Sequence, residues 1–259
     1  MQQACGLRGP SAVARRIRGG LLSAWLLMSL CVDAQAALAI TGTRFIYPAN
    51  ASALTVRVGN TGDAPILLQA WLDRGDTHTD PSRLTVPFVL SPPISRLDPQ
   101  QRSALVVRYT GEPLPGDRES VFWINFLEVP PVTTTDSNVL RLAYRMRMKL
   151  LYRPAGLAGK ANEAIGQVLW SLDKTPGPDG QMALLATSRA PYYVSISQLE
   201  LGSGTQSISW QGITLEPFGT TRIALPAAKK AAVASATVVR YQVAVDSGET
   251  LSGSARLQQ

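Results

Sequence analysis

Between residues 138 and 154 the even positions Leu140, Leu142, Tyr144, Met146 and Met148 are apolar, and Arg141, Ala143, Arg145, Arg147 and Lys149 alternate with them. A period of two belongs to an extended strand and not to a helix. The strand so predicted is unusually long and has one apolar and one cationic face. Ahead of it lie shorter runs rich in β-formers at 45–47, 53–58, 66–72, 86–90, 104–109 and 121–129. Turn residues separate them at 59–63, 80–82, 97–99 and 114–117. These six runs and the long strand, seven in all with such punctuation, predict an immunoglobulin-like sandwich. Trp71 and Trp123 fall within strands, where core-facing indoles are expected.

The Pro- and Gly-containing stretch 154–159 breaks the pattern and reads as a hinge. Beyond it, β-type runs recur at 168–172, 182–187, 192–199, 208–210, 221–225, 238–245 and 251–257, which predicts a second sandwich. Long helices are not expected. The Ala-rich stretch 227–236 suits a helical turn or a loop equally well.

The front of the chain is different in kind. Arg8, Arg15, Arg16 and Arg18 precede a short apolar run, 21–32, which is followed by Ala34-Gln35-Ala36. These are the three parts of a secretory leader, with cleavage expected after Ala36. The run is shorter than the roughly 20 residues that a membrane span needs, so no membrane anchor is expected. The expected organisation is therefore a leader over 1–36, a first domain over 37–156 and a second over 157–259, each of the latter about 110 residues. Both cysteines, Cys5 and Cys31, lie in the leader, so the mature chain has no thiol and must be held by its core. Loss of four arginines and Asp33 lowers the formal charge from +7 to +4. The excess gathers in one strand and not over a face, which argues against nucleic acid as partner.

Three ordered motifs carry a family resemblance: residues 42–48 (GTRFIYP), residues 117–125 (DRESVFWIN) and residues 148–154 (MKLLYRP). Together with the long alternating strand, they resemble the periplasmic pilus chaperones of the chaperone/usher pathway, in the subfamily with a short loop before that strand. The second half keeps the family landmarks Ala190-Pro191-Tyr192-Tyr193 and Glu216-Pro217-Phe218. It departs at Ser188, where Asn is usual, and at Val245-Asp246-Ser247-Gly248. The resemblance implies an all-β chain of two immunoglobulin-like sandwiches in an L-shaped arrangement. It also implies a periplasmic protein that holds exported pilin or fimbrial subunits and delivers them to an outer-membrane usher.

The mode the resemblance implies is strand addition, in which a subunit lacking its last strand is completed by the chaperone. Leu140, Leu142 and Tyr144 would fill the open core, each contributing roughly 1.5–3 kcal/mol against about 0.5–1.5 for a ladder hydrogen bond. A slip of one residue would turn every plug to the wrong face, so the register needs a pin. In the family a basic pair, matched by Arg44 and Lys149, holds the subunit's C-terminal carboxylate. Glu119, Arg153 and Asp246 match its interdomain ionic contacts. Lys149 is odd-numbered while the plugs are even-numbered, so a twist, a bulge or simple reach must bring it to the cleft.

Catalytic readings find little support. The mature chain has one histidine, His78, and no cysteine, which removes a Cys–His nucleophile and leaves a serine triad resting on a polar turn. Ser171 and Lys174 have the S-x-x-K spacing without the other elements of that site. Asp73, Asp76, His78 and Asp80 cluster, but not at the spacing of a calcium loop. The chain is expected to be no enzyme and to use no metal or cofactor. A secreted two-domain adhesion or carbohydrate-binding module is the alternative; it would present aromatic residues at loop tips, not an amphipathic strand with a cationic pair.

Overall fold

The computed structural model describes residues 37–131, 142–173, 182–202, 207–226 and 236–258. The leader, Leu140, Arg141, Lys174 and nearly all of the Ala-rich stretch lie outside these, as do residues 132–137 of the short loop.

Nine strands form the first sandwich. One sheet has the order β1 (Leu38–Ile40), β3 (Leu54–Asn60), β7 (Arg102–Tyr109), β5 (Phe88–Ser91). The other has the order β2 (Arg44–Pro48), β9 (Tyr144–Arg153), β8 (Ser120–Val129), β4 (Ile66–Asp73), β6 (Ile94–Leu97). Alternation decides which residues meet between the sheets: Val56 and Val58 from β3 face Leu68, Ala70 and Leu72 from β4, with Phe122, Ile124 and Phe126 from β8. Tyr47, Phe88, Tyr109, Phe122 and Tyr152 form an aromatic cluster, with Phe88 and Phe122 ring centroids 4.9 Å apart in an edge-to-face arrangement. The fully buried Tyr47 hydroxyl donates to the Ala51 carbonyl and accepts from the Tyr109 N–H, both at 3.1 Å.

Trp71 and Trp123 correct the expectation for them. Both are odd-numbered residues on strands whose even residues face the core, so their indoles lie on the opposite face and belong to neither core cluster. An indole tolerates this because a guanidinium can cover it, as Arg145 and Arg147 do from β9.

The second sandwich is built from β10 (Val168–Asp173), β11 (Ala183–Ser188), β12 (Val194–Leu201), β13 (Ile208–Leu215), β14 (Thr220–Ala224), β15 (Val238–Ala244) and β16 (Thr250–Gln258). Its strands run in the order β13-β12-β15-β16-β10-β11-β14, and β16 links the two layers by pairing antiparallel with β15 and parallel with β10. Trp170, Leu184 and Ala186 from one layer share a core with Ile196, Leu199, Leu201 and Val239 from the other. A register shift between Ile196 and Gln198 changes the parity of β12, so that Ile196 before it and Leu199 after it both reach that core. Between the sandwiches the chain runs through Gly156 and Gly159, both at positive φ, into a short 3-10 helix, Ala161–Gln167, which the sequence reading did not anticipate.

Candidate functional site

The site begins with an open edge. On one side β9 pairs antiparallel with β8 from Ser120↔Tyr152 to Glu128↔Tyr144, leaving out only Arg153. On the other side it pairs in parallel with β2, but only from Arg44↔Lys149 to Pro48↔Arg153. Among the described strands, residues 144–148 therefore have one ladder edge without a partner, which is a template for another chain. The even face changes character along the same stretch. Leu150 and Tyr152 lie in the core, Met146 and Met148 pack half-buried against it, and Leu142 and Tyr144 are 52% and 41% exposed. A row of apolar side chains thus runs out of the sandwich into solvent.

The odd face is held by a network the sequence reading did not foresee. Asp73, fully buried, accepts from Arg147 at 2.5 Å, from the Asn125 amide at 2.6 Å and from the Gly75 N–H at 2.6 Å. Asn125 in turn accepts from Arg145 at 2.7 and 3.0 Å. Beneath the guanidinium groups lie the indoles, Arg145 being 4.9 Å from the Trp71 ring and Arg147 4.6 Å from that of Trp123. Asp73 is thereby committed to holding the strand. Asp76 and Asp80 accept from the backbone of His78 and Ser82, and among the described residues no three His, Cys, Asp or Glu side chains converge.

Arg44 and Lys149 stand side by side, because directly opposed residues of neighbouring strands share a face. That face is the odd one, turned away from the first core, and the second sandwich meets it. Arg44 Nη1 donates to the Ala244 carbonyl at 2.5 Å, and Lys149 Nζ donates to Ser195 Oγ at 2.9 Å and Thr214 Oγ1 at 2.5 Å. The pairing of β8 with β9 shows no register shift, so Lys149 reaches the cleft directly and without a bulge. Burial lowers the Lys149 pKa from its ordinary 10.5 to about 8, with the neighbouring Arg44 charge adding to the effect. Desolvation lowers that of Arg44 as well, against the pull of Asp246 and Glu119, and its buried Nε has no hydrogen-bond partner. Neither cation belongs to any ion pair among the described residues.

Beside this pair the three remaining residues singled out from the sequence come together. Arg153 donates to Glu119 at 2.6 Å and to Asp246 at 2.7 Å. Glu119 also accepts from the Tyr193 N–H at 2.8 Å, so one carboxylate binds both sandwiches. Desolvation raises the Glu119 pKa, with Arg153 opposing that shift. The turn carrying Asp246 closes through Gly248, at φ +88° and with its N–H on the Val245 carbonyl, so the unusual sequence there still delivers its carboxylate to Arg153. Ser188, the other departure, is buried and accepts from the Ala190 N–H at 3.3 Å.

Two family profiles match the chain. "Pili and flagellar-assembly chaperone, PapD N-terminal domain" covers residues 37–158, and "Pili assembly chaperone PapD, C-terminal domain" covers 163–255. The chain belongs to the PapD family of pilus assembly chaperones. Among its relatives, the chaperone protein FimB/FhaD of Bordetella pertussis is 40% identical over 82% of this chain and 86% of that protein. The probable fimbrial chaperone YadV of Escherichia coli is 36% identical over 89% of this chain and 94% of its own length. The crystal structures of the YadV chaperone and of the Pseudomonas aeruginosa CupB2 chaperone each superpose with a TM-score of 0.69. They cover 86% and 85% of this chaperone and all of their own chains, at 36% and 32% identity.

Ser195, Thr214, Asp73 and Asn125 were missed because their partners are 20 to 74 residues away and no motif links them. Alternation in the strand beginning at Val194 is the one signal that bears on Ser195, and the register shift obscures it. The Asp73 network makes a clear energetic prediction. Asp73→Asn leaves Arg147 partly buried without its anion and is expected to lower stability to chemical denaturation by about 3 kcal/mol. Asp98→Asn, which breaks only the exposed pair with Arg96, is expected to change it by less than about 0.5 kcal/mol. Equally small changes would mean that the cationic row rests on the indoles alone.

Proposed function

We propose that this chaperone works in the periplasm, completing exported pilin or fimbrial subunits with the leading part of β9 before an outer-membrane usher receives them. Leu142 and Tyr144, with Leu140 ahead of them, enter the subunit's open groove, while the free edge of residues 144–148 pairs with its backbone. Arg44 and Lys149 receive the subunit's C-terminal carboxylate. Glu119, Arg153 and Asp246 hold the two sandwiches, taken as 37–156 and 157–259, around that pocket.

One observation carries this reading: two desolvated cations lie side by side where the open strand edge ends, with no anion of the described chain paired to them. Arg44 is the first residue of β2, and Lys149 is its partner on β9. A strand seated along 144–148 therefore meets both cations at the point where β2 takes over the edge. Two like charges taken out of water are unfavourable alone, and a carboxylate between them relieves both desolvation and repulsion. The charge-assisted hydrogen bonds contribute about 1.5–3 kcal/mol and fix the register, while the apolar plugs and the ladder supply the bulk of the affinity.

Peptides copying the subunit's last strand test the pocket. The free acid is expected to bind more than tenfold more tightly than the amide, a loss of about 2 kcal/mol, and calorimetry reading equal affinities overturns the carboxylate role. Lys149→Met should stop binding while leaving the thermal midpoint at pH 7 equal or higher, because it removes a desolvated charge. A parallel loss of fold and binding would make Lys149 structural.

The lowered Lys149 pKa sets the pH behaviour. Unfolded chain holds this proton up to about 10.5 and folded chain releases it from about 8, so folding stability should rise with pH across that window. Carboxylate binding needs the proton, so affinity should fall by up to about tenfold per pH unit above about 8. Lys149→Arg is expected to abolish that fall, and a pH-independent affinity in the parent protein would refute the linkage.

Leu142→Asp combined with Tyr144→Asp should cost subunit binding severely, since each carboxylate would enter an apolar groove. The free chaperone should keep its stability, because both positions are exposed. Retained binding in a titration would mean that the even face is not the one inserted.

A further inference from the structure

Three carboxylates are buried among the described residues: Asp73, Glu119 and Glu128. Asp73 holds Arg147 and Glu119 holds Arg153, as the physics of a buried charge requires. Glu128, near the end of β8 and 6% exposed, is in no ion pair among the described residues. Its two oxygens instead accept from backbone nitrogens, that of Leu38 at 2.9 Å and that of Ala37 at 3.3 Å. Leu38 opens β1, a strand of three residues, with its side chain in the core, and Ala37 directly precedes it.

We propose that the missing cation is the α-ammonium of Ala37, created when the leader is removed. Hydrolysis of the Ala36–Ala37 bond by a leader peptidase adds the water hydroxyl to the Ala36 carbonyl and a hydrogen to the Ala37 nitrogen. The resulting amine, with an ordinary pKa of about 8, takes a further proton from solvent at neutral pH. The nitrogen that donates a single peptide hydrogen to Glu128 then becomes a full positive charge at the same position. Processing thereby adds the ion pair that Asp73 and Glu119 have from arginines. It staples the start of β1 to β8 across the sandwich, because Glu128 belongs to one sheet and Ala37 directly precedes β1 of the other. The staple sits where the exposed end of β9 emerges, since Glu128 is paired with Tyr144.

This inference rests on the leader reading of residues 1–36 and not on the proposed subunit pocket, and its test needs no subunit. The chain beginning at Ala37 is prepared with a free amine and with an Nα-acetyl group, each with Glu128 and with Glu128→Gln. At pH 6.5 acetylation is expected to lower the thermal midpoint by about 3 °C in the Glu128 protein and to have little effect in the Glu128→Gln protein. Equal shifts in the two backgrounds overturn the pairing. Should Glu128→Gln not fold, the unmutated chain decides by itself, for an acetylated form as stable as the free amine also overturns it. Mass spectrometry of the exported protein must find Ala37 as the first residue, and any other start refutes the proposal.

Discussion

The unbroken pairing of β9 with β8 is the constraint on which both faces of the first sandwich depend. Nine consecutive residue pairs, from Tyr152 to Tyr144, keep the alternation of β9 strict, so every even residue faces the core direction and every odd one the opposite side. A single slipped residue would carry Leu150 and Tyr152 out of the core and bury Lys149 and Arg147 in it. The apolar row cannot end where the core ends, because the strand is longer than the sandwich it serves. Leu142 and Tyr144 are the surplus.

Charge is handled in two ways on the odd face, and the contrast is informative. Arg145, Arg147 and Arg153 are each met by an anion or an amide, and the first two also by an indole. Arg44 and Lys149 have neutral hydrogen-bond partners from the second sandwich, a carbonyl and two hydroxyls, and Lys149 also lies 5.6 Å from the Trp123 ring. The same strand thus carries cations that meet an anion and one, Lys149, that has none among the described residues. That difference is the physical basis for assigning a ligand to the second kind.

The surroundings of Lys149 are also a joint product of two sandwiches. Lys149 comes from the first, its hydroxyl partners from β12 and β13, and the neighbouring Glu119–Arg153–Asp246 cluster ties the same two bodies. Arg118 adds a cation over the Phe218 ring at 5.2 Å. A change in how the sandwiches meet would alter the Lys149 environment first, so the geometry of the cleft and the electrostatics around Lys149 are coupled.

Much of this was legible from residues alone. The alternation over 138–154 gives the strand and its two-faced nature, the spaced turn residues give the sandwiches, and three motifs give the family, with Arg44, Lys149, Glu119, Arg153 and Asp246 picked out through it. Alternation says that two faces exist but not which is buried when both carry large side chains, and so it does not place Trp71 and Trp123 on the outer face where they lie. The Asp73 network, the hydroxyls on Lys149 and the lone carboxylate of Glu128 were invisible for a different reason. Each depends on contacts between residues 20 to 91 positions apart, which exist only once the strands are laid side by side. Local pattern determined the strands and the chemistry along them; only tertiary packing decided which charges found partners, because partnership depends on distance in space and not along the chain.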